Sequence, residues 1–182
     1  MRATRFLSRI VVSLLLAATL SACTPVHVWI LASDGFGGRN NGSPGSSEAQ
    51  HYLLSYLRAV GVEALDGTTE SSAYLHPMTG GVNVVGRIPG TDLADEIVVV
   101  GAHYDHLASC DQQGGDTICN GATDNAAGTA VVLEIARALA QAKDVPRRTV
   151  IIGFWDREED GLLEAKHGRR PIPVSSPMRS PT

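Results

Sequence analysis

The sequence predicts an α/β fold built on a parallel strand pair joined by a crossover helix. Three successive segments carry that prediction. Ile97 to Ala102 is an unbroken apolar run, of the kind seen in a strand buried on both faces. A helical pattern follows from about Asp124, with Ala127, Val131, Ile135, Ala138 and Leu139 on one side, and should end near Lys143, ahead of Pro146. Thr149 to Trp155 then reads as a second buried strand. Strand, helix and strand at this spacing form a right-handed crossover with parallel strands.

Earlier elements are less regular. Residues 34–46 are rich in Gly, Asn, Ser and Pro and read as loop. From about Ser47 the residues Ala49, Leu53, Leu57 and Val60 recur at helical spacing, and Gly61 can end that helix. Residues 66–80 are polar and turn-rich. Gly81 to Ile88 alternates as a strand, closed by the turn Pro89-Gly90.

The chain has 182 residues, enough for one domain, with 43% hydrophobic and 19% charged residues and a formal net charge of -4. It carries no basic stripe, so nucleic acid is excluded as a partner on electrostatic grounds. The first residues stand apart. Arg2, Arg5 and Arg9 precede the apolar run from Ile10 to Leu20, which leads to Ser21, Ala22 and Cys23. This predicts a secretory signal peptide over residues 1–22, too short to span a bilayer comfortably as a mature helix. Leu20-Ser-Ala-Cys23 resembles the cleavage box of bacterial lipoproteins. It implies a lipidated Cys23, with the membrane as partner and an exported location in the cell envelope; the alternative is a plain signal peptide with an incidental cysteine. In an oxidising compartment Cys110 and Cys119 suggest a disulfide, the alternative being two free thiols. Neither cysteine has zinc-finger spacing.

The crossover unit also gathers chemistry. His103 and Asp105 leave the first strand at its C-terminal end, Asp124 opens the helix, and Glu158 and Glu159 lie just past the second strand. In a parallel pair these three points share one edge, where active sites collect. One imidazole and several carboxylates suit a pair of zinc ions, because a carboxylate can bridge two ions with its two oxygens. His103 would be a terminal ligand, Asp105 would orient it, and Asp124 would bridge. One glutamate would bind metal while the other takes a proton from water. His106 is assigned to loop support rather than to metal. His27, His51, His76 and His167 have no motif around them and are expected at the surface. No His-Glu-x-x-His motif is present.

Gly101-Ala-His-Tyr-Asp-His106, Gly121-Ala-Thr-Asp-Asn-Ala-Ala-Gly128 and Phe154-Trp-Asp-Arg-Glu-Glu-Asp-Gly-Leu-Leu163 resemble the leading motifs of the co-catalytic di-zinc aminopeptidases. Those are the bacterial leucyl and aminopeptidase Y-like zinc exopeptidases, distant relatives of glutamate carboxypeptidase. The resemblance runs from about Ser33 to Leu163 and includes Asn83-Val-Val-Gly-Arg-Ile-Pro-Gly90. It implies a mixed, largely parallel central sheet with helices on both faces, two zinc ions and a peptide substrate. It also implies His103, Asp124 and Glu159 as zinc ligands, Glu158 as general base and Asp105 as the outer aspartate.

The resemblance stops after Leu163, where Glu164 to Arg170 leads into a proline-rich segment without periodicity. Residues 23–46 are thus expected as lipidated N-terminus and loop, 47–163 as the N-terminal part of a zinc peptidase domain, and 164–182 as a disordered tail left by a frameshift or truncation. A further Asp and His of the family pattern are not found, so each ion would share Asp124 and keep one private ligand. The chain alone is therefore expected to hold zinc weakly and to cleave poorly, and a non-catalytic module of the same fold is the competing reading. Side-chain preference, aminopeptidase against carboxypeptidase action, and oligomeric state are left open.

Overall fold

Two parallel strands and the helix that joins them organise the molecule. The computed structural model describes residues 24–110 and 115–161. β3 (Leu93–His103) pairs in parallel with β4 (Arg148–Trp155), and α3 (Ala127–Ala140) makes the crossover. β2 (Gly81–Ile88) pairs antiparallel with β4, and β1 (Leu75–Met78) antiparallel with β2, giving the mixed sheet order β1-β2-β4-β3. Before the sheet come α1 (residues 24–31), a 3-10 turn at Asp34–Arg39 and α2 (Pro44–Val60).

α2 is specified locally at both ends. The Ser43 hydroxyl accepts from Ser46 N–H at 3.1 Å, and Pro44 occupies the first turn, where its missing N–H costs nothing. Gly61, at φ 91°, ends the helix and donates to Leu57 and Arg58 carbonyls, a conformation glycine adopts without penalty. Ala49, Leu53, Leu57 and Val60 then lie on the buried side as their spacing requires. The helix begins at Pro44 rather than near Ser47, because Ser43 caps it.

β4 alternates between two apolar layers. Val150, Ile152 and Phe154 join Leu53, Leu57, Leu133 and Ala136 in one core, so α2 and α3 cover the same face. Ile151 packs with Leu65 and Val85 on the other, with Trp155 beside them. Gly101 and Gly153 are register partners. A Cβ on either would run into the Trp155 indole, which lies across both.

Several expectations are corrected. Residues 34–46 contain the 3-10 turn, and residues 66–80 contain a second one (Ser71–Tyr74) as well as β1. The apolar run in β3 is not buried on both faces: Ile97, Val98 and Val99 are 44%, 42% and 51% exposed. β3 is an edge strand among the described residues, so its apolar character reports composition and not burial. In α3 the buried residues are Thr129, Ala130, Val132, Leu133, Glu134 and Ala136, while Val131 is exposed, so the covered face is set by the packing of α2 and the sheet against the helix. His27 is buried, bonded to Tyr52 Oη through Nδ1 and to Glu134 Oε1 through Nε2. No helix among the described residues is long and apolar enough to cross a membrane. Cys23, His167 and the expected tail lie outside the described residues.

Candidate metal centre

The parallel register places His103 opposite Trp155, so the loops after β3 and β4 leave the sheet together. Tyr104 N–H donates to Trp155 O at 2.8 Å and extends the pairing by one residue. The Thr129 hydroxyl, from α3, donates to His103 O at 2.9 Å and ties the strand end to the crossover helix. The next residues of each loop carry the candidate ligands.

His103 is held between carboxylates. Its Nδ1 lies 3.3 Å from the Asp105 carbonyl and 3.5 Å from Asp105 Oδ1, while Nε2 lies 3.3 Å from Asp124 Oδ1 and 4.0 Å from Glu158 Oε2. Burial alone would lower the His103 pKa, but Asp105, Glu158 and Asp124 outweigh it and hold the pKa above the usual imidazole value. Asp105 is buried; its Oδ2 accepts from Glu159 N–H at 3.3 Å, and its Oδ1 has no hydrogen-bond partner. That carboxylate thus touches both the imidazole and the backbone of the second loop.

Asp124 does not open a regular helix. It lies in a π-type turn (Ala122–Ala126) with extended backbone, φ -120° and ψ 96°, and its side chain is 62% exposed. The turn depends on Gly121, at φ 56°, where a Cβ would meet Asp124 O and Arg39 Nη2. Asn125 Oδ1 accepts from Gly128 N–H at 3.0 Å and closes the turn onto α3.

Glu159 meets His106. Its Oε1 lies 2.6 Å from His106 Nδ1, and the ligand atoms of His106, Asp124 and Glu159 all fall within 4.8 Å of one another. His106, assigned to loop support, is therefore placed as a candidate ligand. The signal was its position in the loop that carries His103, which the motif around His103 and Asp105 overshadowed. Asp124 is common to two imidazole–carboxylate groups, His103 with Glu158 and His106 with Glu159.

Arg39 is the residue that sequence reasoning missed entirely. It is buried, at φ 61°, and donates to four carbonyls: Leu31 at 2.5 Å, Tyr104 and Asn120 at 2.8 Å, and Gly121 at 2.9 Å. One side chain thus joins the end of α1, the His103 loop and the turn before Asp124. Desolvation lowers its pKa to about 10, opposed by the charges of Asp105 and Asp124, so it remains a cation at neutral pH. Nothing in a Gly-Gly-Arg loop distinguishes such an arginine from a solvated one.

Cys110 and Cys119 are joined as a disulfide, with Cα atoms 5.4 Å apart. Cys110 N–H donates to Thr117 O at 3.1 Å, and Ser109 bridges Ile118, so the link closes the loop between His103 and Asp124. Replacing both cysteines with serine is expected to cost about 2–3 kcal/mol, the chain-entropy effect for a short closure. Urea unfolding of the oxidised protein and of the double variant measures it, and equal midpoints would contradict it.

The donor set fits zinc. Asp124 and Glu158 lie on the Nε2 side of His103, Asp124 and Glu159 lie with His106, and anchoring of His103 through Nδ1 by Asp105 leaves Nε2 as the ligating atom. The 3.3 Å between His103 Nε2 and Asp124 Oδ1 is close to the roughly 3.4 Å edge of a tetrahedron with bonds of ~2.1 Å.

The fold and this carboxylate–imidazole edge lead to a class, the peptidases. Residues 83–176 match the sequence profile of Peptidase family M28, and the chain belongs to that family. It is 28% identical over 145 residues to leupeptin-inactivating enzyme 1 of Streptomyces exfoliatus, covering 80% of this chain and 30% of that one. Among solved structures it resembles a leucine aminopeptidase precursor of Bacteroides thetaiotaomicron, with TM-score 0.55 and 24% identity over 75% of this chain and 47% of that one. A glutaminyl cyclase of the same organism, bound to N-acetylhistamine, gives TM-score 0.53 and 24% identity, over 75% of this chain and 46% of the other. The chain thus spans about a third of that curated relative and just under half of those two solved proteins.

Proposed function

We propose that the protein is a zinc-dependent peptidase of aminopeptidase type, exported to the cell envelope and anchored through a lipidated Cys23 after removal of residues 1–22, with its peptidase region from residue 47 to 163. The observation that carries the peptidase reading is the sharing of Asp124 between His103 with Glu158 and His106 with Glu159. His103 Nε2 and Asp124 would hold one zinc ion; His106, Asp124 and Glu159 would hold a second, leaving Glu158 free beside the first. Zinc there would supply Lewis acidity toward a peptide carbonyl and toward water. Asp105 keeps the His103 ring turned so that Nε2 faces the locus. Glu158, partly exposed and 4.0 Å from His103 Nε2, takes a proton from water at its carboxylate and returns it to the departing amine. The likeness to a leucine aminopeptidase precursor supports the aminopeptidase assignment, and Leu20-Ser-Ala-Cys23 supports the anchor.

A second reading, a non-catalytic module of the same fold, is favoured by the ligand count. Among the described residues the His103 group reaches three ligands only by using Glu158, which would then no longer be free to act as base. One experiment separates the readings: zinc stoichiometry measured beside turnover of aminoacyl reporter substrates, in the wild type and in Glu158→Gln. Catalysis predicts that Glu158→Gln retains zinc and loses turnover by roughly 10²–10⁴-fold. Zinc uptake with no wild-type turnover selects the module, and turnover indifferent to Glu158 refutes its role as base.

A further inference from the structure

α1 presents its faces in the reverse of the usual order. At 100° per residue, Pro25, Val26 and Trp29 fall on one side of the helix, and His27 and Leu31 on the other. His27 and Leu31 are buried, whereas Pro25 is exposed, Val26 is 52% exposed and Trp29 77%. No residue from 24 to 31 is charged. The helix therefore keeps its imidazole inside and turns an apolar stripe outward. A single exposed tryptophan is ordinary. A Pro-Val-Trp stripe directly after a candidate acylation position requires a physical account.

That account lies in how little chain separates the stripe from Cys23. Thr24 is already helical, and His27 is bonded to Tyr52 of α2 and Glu134 of α3. Four residues span at most about 14 Å even when fully extended. An acyl group on Cys23 would thus hold α1 against the bilayer with no flexible tether between lipid and folded core. The headgroup zone is where an uncharged helix face bearing tryptophan is most stable, because the indole body is apolar and its N–H remains hydrated.

We propose that the Pro25–Val26–Trp29 face of α1 is a membrane-contact surface, lying in the headgroup region of the bilayer to which Cys23 is anchored and fixing the orientation of the domain on it. This rests on the lipid-anchor reading above. Trp29 also walls an open cleft of about 700 Å³ with Thr24, Pro25, Val28, Ala32 and Ala122. Ala122 is two residues before Asp124, within about 7 Å along the chain. The cleft beside the membrane-contact face therefore ends two residues along the chain from Asp124.

The test uses the full chain purified from membranes, with the mass of the Cys23 peptide establishing acylation. The protein is placed in phosphatidylethanolamine–phosphatidylglycerol vesicles, with and without brominated acyl chains. Trp29 emission is taken as the difference between wild type and Trp29→Phe, which removes the contribution of Trp155. The expected result is a blue shift on vesicles and loss of about half of this component to the brominated lipid. Acylated, vesicle-bound protein whose Trp29 is quenched by aqueous acrylamide and untouched by brominated lipid overturns the proposal while leaving the anchor intact. An unacylated Cys23 overturns both. A soluble Cys23→Ala protein that sediments as a dimer with Trp29 already blue-shifted assigns the face to a second copy of the chain, and overturns the proposal on that ground.

Discussion

Arg39→Ala is expected to lower the stability of the domain by about 3–5 kcal/mol and to loosen the metal centre at the same time. The substitution removes the donor to the carbonyls of Leu31, Tyr104, Asn120 and Gly121, three of which border the site. A buried carbonyl left without a donor costs about 1–3 kcal/mol, and water entering the vacated volume recovers part of the sum of four. Charge alone does not make the interaction, because a lysine has a compact ammonium in place of the planar fork that reaches four acceptors. Arg39→Lys should therefore recover only a minor share. Urea unfolding followed by tryptophan emission gives the stability change, and zinc titration gives the effect on the site. A loss below about 1 kcal/mol would mean that the four bonds are not the clamp described here.

Asp124→Asn should have the opposite profile, with little effect on folding and a large one on metal. Its side chain is mostly exposed, and such surface changes stay within about 0.5 kcal/mol. As the carboxylate common to the proposed His103 and His106 groups, however, it would serve both, and its loss would affect both. Zinc affinity should fall by more than the roughly 10–100-fold that follows loss of an outer-shell partner, with stoichiometry dropping at both positions. Thermal unfolding without zinc should be nearly unchanged, while the stabilisation that wild type gains on adding zinc should disappear. A variant that binds the wild-type complement of zinc would show that Asp124 is not shared.

These two residues show where sequence reasoning reaches and where it stops. Asp124 could be singled out from its place between two strands, at the edge where parallel strands end, and from the motif that surrounds it. Arg39 depends on four carbonyls drawn from residues 31 to 121, and no pattern within its own neighbourhood encodes them. His106 belongs to an intermediate case. Its position beside His103 and Asp105 was visible, but its 2.6 Å contact with Glu159 arises only when the loop after β4 folds over the loop after β3.

By itself the sequence determined the crossover unit, the end of α2 at Gly61, the order of the chemical groups along one sheet edge and the family resemblance, all of which rest on spacing over short stretches of chain. The tertiary structure decided which apolar residues are covered. Among the described residues Ile97, Val98 and Val99 face solvent on an edge strand, Val131 points away from the core, and His27 lies inside it while Trp29 lies outside. Periodicity states that a segment has two faces. Which face meets protein is decided by the neighbours that arrive from distant parts of the chain.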